Sequence, residues 1–311
     1  MNKGASASFP PAMIVDHRAE CRPAPLVRQE SAIIHTRIAV MRPACQNEVV
    51  MAFAIDPAVV EADVRRALSE DLGDGDLSAA LVPESRRLSA NIIARETLVL
   101  CGSPWAEACF RALDPHIRLD WRVAEGETAG PEAVLVEISG SARAILSAER
   151  SALNFLQTLS GTATVSAHYA ALASGSRTRI LDTRKTLPGL RQAQKYAVRV
   201  GGCENHRMGL YDAVLIKENH IAAAGSIGAA VAAARAGGDY LVEVEVESLD
   251  EFTQACDAGA DRVMLDEFSE SDLREAVGMG RPVELEVSEI GRACVGKECF
   301  VPCRSRWSPY H

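Results

Sequence analysis

The chain has 311 residues, of which 48% are hydrophobic and 24% are charged, which is ordinary for a globular protein with one large or two medium domains. No stretch approaches the ~18 uninterrupted apolar residues that a membrane span needs, and the N-terminus lacks a basic-then-apolar signal pattern, so we expect a cytoplasmic protein with no membrane partner. The formal net charge of −9 makes nucleic acid an unfavourable partner as well.

Composition divides the chain into a body and two unusual ends. Five of the nine cysteines lie in residues 1–50 or 289–311, and each of these ends carries two more basic than acidic residues. Residues 1–51 show no sustained hydrophobic period and are expected to be a disordered extension, with Met51 a candidate for the true start. The same lack of period makes 289–311 an aberrant tail in our interpretation. The four cysteines of the body lack zinc-site spacing and are expected to be free thiols in a reducing compartment.

The first half of the body mixes helical and strand periods, which predicts an α+β domain. A helix begins at Asp56-Pro57 and is closed by Gly73. The remaining elements are three strand-like runs and two helices: Asn91–Leu100, Ile117–Val123 and Ala133–Ile138 as strands, and Pro104–Leu113 and Ser147–Leu159 as helices.

The second half alternates short β-prone runs with capped helices that begin at Ser226, Ser248 and Ser269. This rhythm predicts parallel strands, arranged either as a barrel or as an open sheet. In both arrangements functional groups collect at the carboxyl ends of the strands. The residues at or near these ends are Thr183, Arg184, Lys185, Lys217, Glu245, Asp266 and Ser288.

A basic island within the acidic body indicates a site for a small anion. Residues 182–220 contain seven lysines and arginines against four acidic residues. Arg184 and Arg207 can each bind a carboxylate or a phosphate through two parallel hydrogen bonds, whereas Lys185 and Lys217 act as point charges. His206, beside Arg207, adds a donor for a carboxylate or a ring nitrogen. The alternative is a set of surface cations paired with nearby acids.

Acidic side chains follow in the next strands. Residues 242–247 alternate strictly, so Glu243, Glu245 and Glu247 point to one face of a strand, and Asp266 closes the neighbouring strand. Carboxylates beside a cationic pocket suit ribose hydroxyls, a bound Mg²⁺ or a positively charged sugar transition state. A solvated outer face is the alternative for the three glutamates. No dinucleotide-binding, Walker or GxSxG motif is present.

Taken in order along residues 56–288, eight motifs resemble the quinolinate phosphoribosyltransferase family (carboxylating nicotinate-nucleotide pyrophosphorylase). They are Glu70–Gly73, Gly75–Ser78, Glu149–Asn154, Asp182–Thr186, Glu204–Arg207, Ile216–His220, Val242–Val246 and Met264–Asp266. The resemblance implies an α/β fold, with an N-terminal α/β sandwich domain over 52–160 and an incomplete (β/α) barrel-like catalytic domain over 161–288. Because the expected glycine-rich phosphate loop does not follow Ser288, the barrel is expected to be truncated at its C-terminal end.

The resemblance also implies a role for each candidate residue. Arg184, His206 and Arg207 would hold the two carboxylates of quinolinate, and Arg150 would enter the active site of the partner in a homodimer. Thr183 and Ser288 would join the substrate-binding groups at the strand ends. Lys185 and Lys217 would meet the substrate carboxylate and the phosphates of phosphoribosyl pyrophosphate, while Glu245 and Asp266 would serve the ribose and its Mg²⁺. Lys185, Glu245 and Asp266 are the expected catalytic residues.

The expected reaction transfers a phosphoribosyl group to quinolinate with loss of CO₂ and gives nicotinate mononucleotide, a step of NAD biosynthesis. Two alternatives stay open. One is a related pyrophosphorylase-like enzyme that uses another base. The other is a catalytically dead homologue that only dimerises, which the missing phosphate loop favours.

Overall fold

A computed structural model describes residues 13–16, 37–40 and 54–288, whose packing divides the chain into two units with the boundary between Ala213 and Val214. Of the predicted extension over 1–51, only two four-residue strands are described: β1 (Met13–Asp16) and β2 (Arg37–Val40). The predicted tail over 289–311 lies outside the described residues. The predicted truncation of the barrel at this end therefore stays a prediction.

The first unit contains an antiparallel sheet in which β3 (Arg87–Ala94) and β7 (Val134–Ser141) form the centre, flanked by β1 and β5 (Arg118–Trp121). Burial alternates along β3 and β7, as expected for strands with one face on a hydrophobic core. Two shorter pairings complete the strands of this unit: β4 (Leu98–Val99) with β6 (Thr128–Ala129), and β2 with β8 (Thr178–Leu181).

Four helices and a short 3₁₀ turn (Ala79–Leu81) accompany these strands: α1 (Pro57–Leu72), α2 (Ser103–Leu113), α3 (Ala142–Ala173) and α4 (Arg191–Val200). Their common core includes Trp105, Phe110 and Leu156, each at most 1% exposed. Tyr196 and Ala197 bring α4 into the same core. Where α4 ends, a Cβ on Gly201 would lie 2.3 Å from the carbonyl oxygen of Ala163 in α3, so this close approach of the two helices requires glycine.

Two predictions for the first unit need correction. The run 91–100 is two strands, β3 and β4, separated by a turn. The helix predicted over 147–159 is α3, which begins after the capping side chain of Ser141 and continues to Ala173 because small and apolar residues keep one of its faces buried. Helix α4 was not predicted, since polar side chains dominate its sequence. The predicted domain boundary at residue 160 falls inside α3.

The second unit is a sheet of four parallel strands in the order β9 (Val214–Ile216), β10 (Val242–Val246), β11 (Arg262–Leu265) and β12 (Glu284–Val287). The connecting helices are α5 (Glu218–Ala224), α6 (Ile227–Ala236), α7 (Leu249–Asp257) and α8 (Glu270–Gly278). The side-chain caps predicted for Ser226, Ser248 and Ser269 are all present. The alternation of strands and helices predicted for this part of the chain is confirmed, except that α5 was not predicted.

The two faces of this sheet differ in chemistry. Val242, Val244 and Val246 of β10 point to one face and belong to a hydrophobic core with residues of α6, α7 and α8. The opposite face carries Glu243 and Glu245 of the same strand, because successive side chains of a strand alternate. The sheet therefore presents its charged side chains on the face that its own helices do not cover.

The four cysteines of the body, Cys101, Cys109, Cys203 and Cys256, are free thiols, as predicted. Burial raises the pKa of Cys109 to about 12 and that of Cys203 to about 11, so neither is a thiolate at neutral pH. Among the described residues no helix combines the length and the apolar composition needed to cross a membrane.

Candidate active site

In the first unit, two segments that carry candidate residues run side by side. Strand β8 ends at Leu181, and residues 182–185 continue directly from it. Residue Glu204 lies beside this strand end: its backbone N–H donates to the carbonyl of Ile180 at 2.8 Å, and its carbonyl accepts from the N–H of Asp182 at 3.1 Å. The two motifs predicted from sequence to bind an anion are therefore neighbours in space.

A buried ion pair holds these two segments together. Asp182 and Lys195 are 5% and 1% exposed, and the Lys195 Nζ donates to the Asp182 carboxylate. Asp182 also accepts from the side chain of Asn205 at 2.6 Å and from the backbone N–H of His206 at 2.8 Å. Lys195 donates in turn to the carbonyl of His206 at 2.9 Å. Asp182 and Lys195 therefore fix the backbone of His206 through its N–H and its carbonyl.

Burial sets the ionisation of this pair. Removal from water raises the pKa of Asp182 and lowers the pKa of Lys195, since both charged forms lose hydration. Their mutual attraction and the hydrogen bonds from Asn205 and His206 oppose that shift. Asp182 and Asn205 belong to motifs recognised in the sequence, whereas Lys195 was not predicted to have a role. Its apolar neighbours Ala193, Tyr196 and Ala197 were the available signal that this lysine faces inward.

The candidate cations of the first unit differ in exposure. Lys185 is exposed, whereas Arg184 and Arg207 are partly buried. Among the described residues, Arg184 Nε is buried and has no hydrogen-bond acceptor. Arg207 Nη1 donates to the carbonyl of Ala213 at 3.2 Å. The hydroxyl of Thr183 accepts from the backbone N–H of Lys185 at 3.0 Å, which shapes the turn after β8.

His206 is 8% exposed, and its Nδ1 accepts a hydrogen bond from the backbone N–H of Arg207 at 2.8 Å. An acceptor at Nδ1 places the proton of the neutral imidazole on Nε2. In this tautomer the ring is a donor at Nε2.

In the second unit, strand register brings candidate residues together in pairs. The pairing of Val244 with Ile216 sets Glu245 level with Lys217, and the Lys217 Nζ donates to the Glu245 carboxylate. The pairing of Leu265 with Val287 sets Asp266 level with Ser288, whose hydroxyl donates to Asp266 at 2.7 Å. The sequence analysis had placed all four of these residues at strand ends.

Three glutamates of β10 and its end face different surroundings. Glu243 is fully buried and lies 3.9 Å from Arg262, which also meets Glu286 at 3.6 Å and Glu284 at 2.9 Å. Arg262 and Glu286 were not singled out from sequence. The alternative that all three glutamates line a solvated face is wrong for Glu243, and this residue is part of an ion network around one arginine.

Several carboxylates lie near Glu247, the residue that follows β10. Partial loss of hydration, and then the nearby Glu251 and Asp266, raise the pKa of the exposed Glu247. Glu267, which directly follows Asp266, has a φ of 56°, a left-handed conformation that few non-glycine residues adopt. Such strain is found disproportionately at functional sites. The carboxylates at this edge offer oxygen atoms, which are the ligands that Mg²⁺ prefers.

Arg150 lies apart from the other candidates in sequence. Its side chain is exposed, and it is the ninth residue of α3, whereas the helix predicted over 147–159 has this residue in its first turn. The correction follows from the early start of α3 at Ala142. An exposed arginine in a helix interior is free of any role in capping.

Comparison with known proteins identifies the family. Two family models match consecutive parts of the chain: the N-terminal domain of quinolinate phosphoribosyl transferase over residues 76–160, and its C-terminal domain over residues 162–289. The chain belongs to this family, and it is an enzyme of the phosphoribosyltransferase class.

Curated proteins and a solved structure agree with the family models. A probable carboxylating nicotinate-nucleotide pyrophosphorylase of Synechocystis is 38% identical over 225 residues, which cover 72% of this chain and 76% of that protein. One from Bacillus subtilis is 40% identical over 199 residues, covering 63% and 69%. The nicotinate-nucleotide pyrophosphorylase structure from Francisella tularensis superposes with a TM-score of 0.73 at 46% identity, covering 78% of this chain and 86% of that one.

Proposed function

We propose that this phosphoribosyltransferase acts on quinolinate and phosphoribosyl pyrophosphate and forms nicotinate mononucleotide, pyrophosphate and CO₂ for NAD biosynthesis. The observation that carries the proposal is the pairing of the two cationic segments of the first unit, 182–185 and 204–207, around the buried Asp182–Lys195 ion pair. This pairing supports a ligand with two adjacent carboxylates, because it keeps two planar guanidinium groups and one imidazole on neighbouring segments.

Quinolinate would be held by Arg184, His206 and Arg207, with Thr183 and Lys185 at the same strand end. A charge-assisted hydrogen bond to a carboxylate contributes about 1.5–3 kcal/mol, so two arginines can supply much of the affinity for a dianion. Arg184 Nε, buried and without an acceptor among the described residues, would gain one in the complex. The buried ion pair makes no contact with substrate in this proposal; it fixes the peptide groups of His206.

Phosphoribosyl pyrophosphate would be held at the strand ends of the second unit. Lys217 would meet its phosphates, while Glu245, Asp266 and Ser288 would meet the ribose. The hydrogen bond from Ser288 orients the Asp266 carboxylate. Mg²⁺, carried in with the substrate, would neutralise phosphate charge and would meet Asp266 and Glu245, largely through water.

The proposed reaction has two steps. The pyridine nitrogen of quinolinate attacks ribose C1 as pyrophosphate leaves. The carboxylate next to the nitrogen is then lost as CO₂, and the electron pair left on that ring carbon takes up a proton from water. Glu245 and Asp266 would stabilise the positive charge that develops on the sugar, and Lys185 would hold a substrate carboxylate. The protein would contribute mainly by orienting two polyanions that repel each other in water.

Three further features belong to the proposal. The four parallel strands of the second unit would be part of an incomplete barrel, and two chains would form a dimer in which Arg150 enters the partner's active site. The exposed position of Arg150 on α3 supports this use of the residue. The protein would work in the cytoplasm, where the free thiols of Cys101, Cys109 and Cys203 stay reduced.

The test is a turnover assay of the full chain with phosphoribosyl pyrophosphate and Mg²⁺, comparing quinolinate with nicotinate. Quinolinate labelled in the carboxyl group next to the nitrogen should release labelled CO₂ in step with nicotinate mononucleotide. Turnover of nicotinate alone would assign the chain to another base. If neither compound reacts and neither binds in a calorimetric titration, the proposal is wrong.

A further inference from the structure

Arg191, the first residue of α4, was not singled out from the sequence, yet its guanidinium group reaches two segments at once. Its Nε donates to the hydroxyl of Thr186 at 3.3 Å, and its Nη2 donates to the carbonyl of Arg184 at 3.5 Å. Its Nη1 donates to the carbonyl of Met208 at 3.2 Å. Arg191 is partly buried and therefore shielded from competition with water at these acceptors.

Each of these segments carries one of the arginines assigned to the dicarboxylate. Arg184 itself supplies one acceptor, and Met208 directly follows Arg207. The guanidinium group is planar and rigid, so its donors fix the relative positions of the groups that accept from them. Helix α4 fixes the position of Arg191, because Ala193, Tyr196 and Ala197 are buried in the core that this helix shares with α3.

Other contacts hold each segment separately. The side chain of Gln194, one turn further along α4, accepts from the backbone N–H of Leu187 at 2.7 Å. Asp212 accepts from the N–H groups of Met208 and Gly209 at 2.6 and 3.1 Å. The buried Asp182–Lys195 network joins the two segments at Asp182 and His206. Arg191 joins them a second time, at Arg184 and Met208, so its contribution is to set their spacing at that end.

We propose that Arg191 is a positioning residue that sets the spacing of Arg184 and Arg207, and that this spacing selects a ligand with two adjacent carboxylates over a ligand with one. The inference rests on the proposed function, since it concerns how that site recognises quinolinate. Arg191 makes no contact with substrate in this proposal. A monocarboxylate needs one arginine only, so its binding does not depend on the spacing.

The test compares Arg191→Lys with Arg199→Lys, both on α4. Lysine keeps the positive charge but cannot span three acceptors. Arg199 is a matched control, because its Nη2 also donates to a backbone carbonyl, that of Ala54 at 3.0 Å, away from both cationic segments. Dissociation constants for quinolinate and for nicotinate are measured by calorimetry, and the melting temperature of each variant is recorded.

In Arg191→Lys the dissociation constant of quinolinate should rise about tenfold, the loss expected for roughly one net hydrogen bond, while that of nicotinate changes by less than about twofold. Arg199→Lys should leave both constants unchanged. Thr186→Val removes one of the three acceptors and leaves Arg191 in place, so it should shift quinolinate binding in the same direction by a smaller factor. This second variant decides the matter if Arg191→Lys does not fold.

Unchanged discrimination between the two ligands in Arg191→Lys or, if that variant does not fold, in Thr186→Val overturns the inference and leaves the proposed function intact. An equal loss of affinity for both ligands, with a lower melting temperature, assigns Arg191 a structural role only and also overturns it. If the unmodified chain binds no quinolinate, the proposed function itself is wrong.

Discussion

The two units hold their candidate residues by different means. In the first unit Arg184, Lys185 and Arg207 stand on irregular segments, and side chains from α4 and a buried ion pair hold these segments in place. In the second unit Lys217 and Asp266 directly follow parallel strands, and the register of the sheet alone sets them beside Glu245 and Ser288. Loop-borne groups therefore depend on side-chain contacts that strand-borne groups do not need.

The ion pairs of the two units should respond very differently to loss of one charge. Asp182→Asn leaves Lys195 charged and almost fully buried, so the free energy of unfolding should fall by about 3–5 kcal/mol. Glu245→Gln keeps a hydrogen-bond acceptor for a partly exposed Lys217 and should cost roughly 1 kcal/mol. Urea unfolding of both variants measures these changes. Equal losses of unfolding free energy in the two variants would contradict the contrast between a buried ion pair and a partly exposed one at the sheet edge.

Quinolinate binding should depend on the shape of the arginine side chains on the two cationic segments, even when the positive charge is kept. Arg184→Lys and Arg207→Lys each lose the planar fork, so quinolinate binding should weaken by roughly 1–3 kcal/mol. Stability should change little, since neither side chain belongs to the buried network. Calorimetric titration measures the affinity, and unchanged affinity in both variants would place the dicarboxylate elsewhere.

Arg150 belongs to neither arrangement, and subunit mixing tests its proposed role. Arg150→Ala and Lys185→Ala chains should each be inactive alone. Mixed in equal amounts and allowed to exchange, they should recover about a quarter of wild-type activity, because half of the dimers are hybrids with one intact site in two. A mixture that stays inactive although hybrids are present, as shown by tagged purification, would assign Arg150 to its own subunit.

The smallest expected effect concerns the acidic edge of the second unit. Partial loss of hydration and the neighbouring carboxylates Glu251 and Asp266 raise the pKa of Glu247, so the fold favours its protonated form. The stabilisation is complete below the usual pKa of a glutamate and is lost as the pH rises through the raised value. Glu247→Gln should therefore raise the melting temperature slightly at neutral pH and leave it unchanged in acid.

Added Mg²⁺ should shrink this difference, since a cation near Asp266 relieves the same repulsion. A pH series of melting curves, with and without Mg²⁺, provides the measurement. A variant that is less stable than the wild type at neutral pH would show that Glu247 makes a favourable contact.

The same contrast explains what the sequence could predict. The residues at the ends of β9 to β12 were found because alternation of strands and helices reveals parallel strands, and parallel strands align their carboxyl ends. Arg191 and Lys195 were missed because polar side chains dominate the sequence of α4 and Lys195 is itself one of its buried residues. The true length of α3 was missed for a related reason: its buried face consists largely of alanine and serine, which give a weak hydrophobic period.

Recognition of two carboxylates by the cationic segments is the central claim, and one titration tests it most directly. Quinolinate is titrated into the full chain in parallel with nicotinate and picolinate, each of which carries one of its two carboxylates. If Arg184 and Arg207 each bind one carboxylate, quinolinate should bind at least about tenfold more tightly than either monocarboxylate, the gain from one further charge-assisted hydrogen bond. Equal affinity for quinolinate and for one of the monocarboxylates would contradict the account.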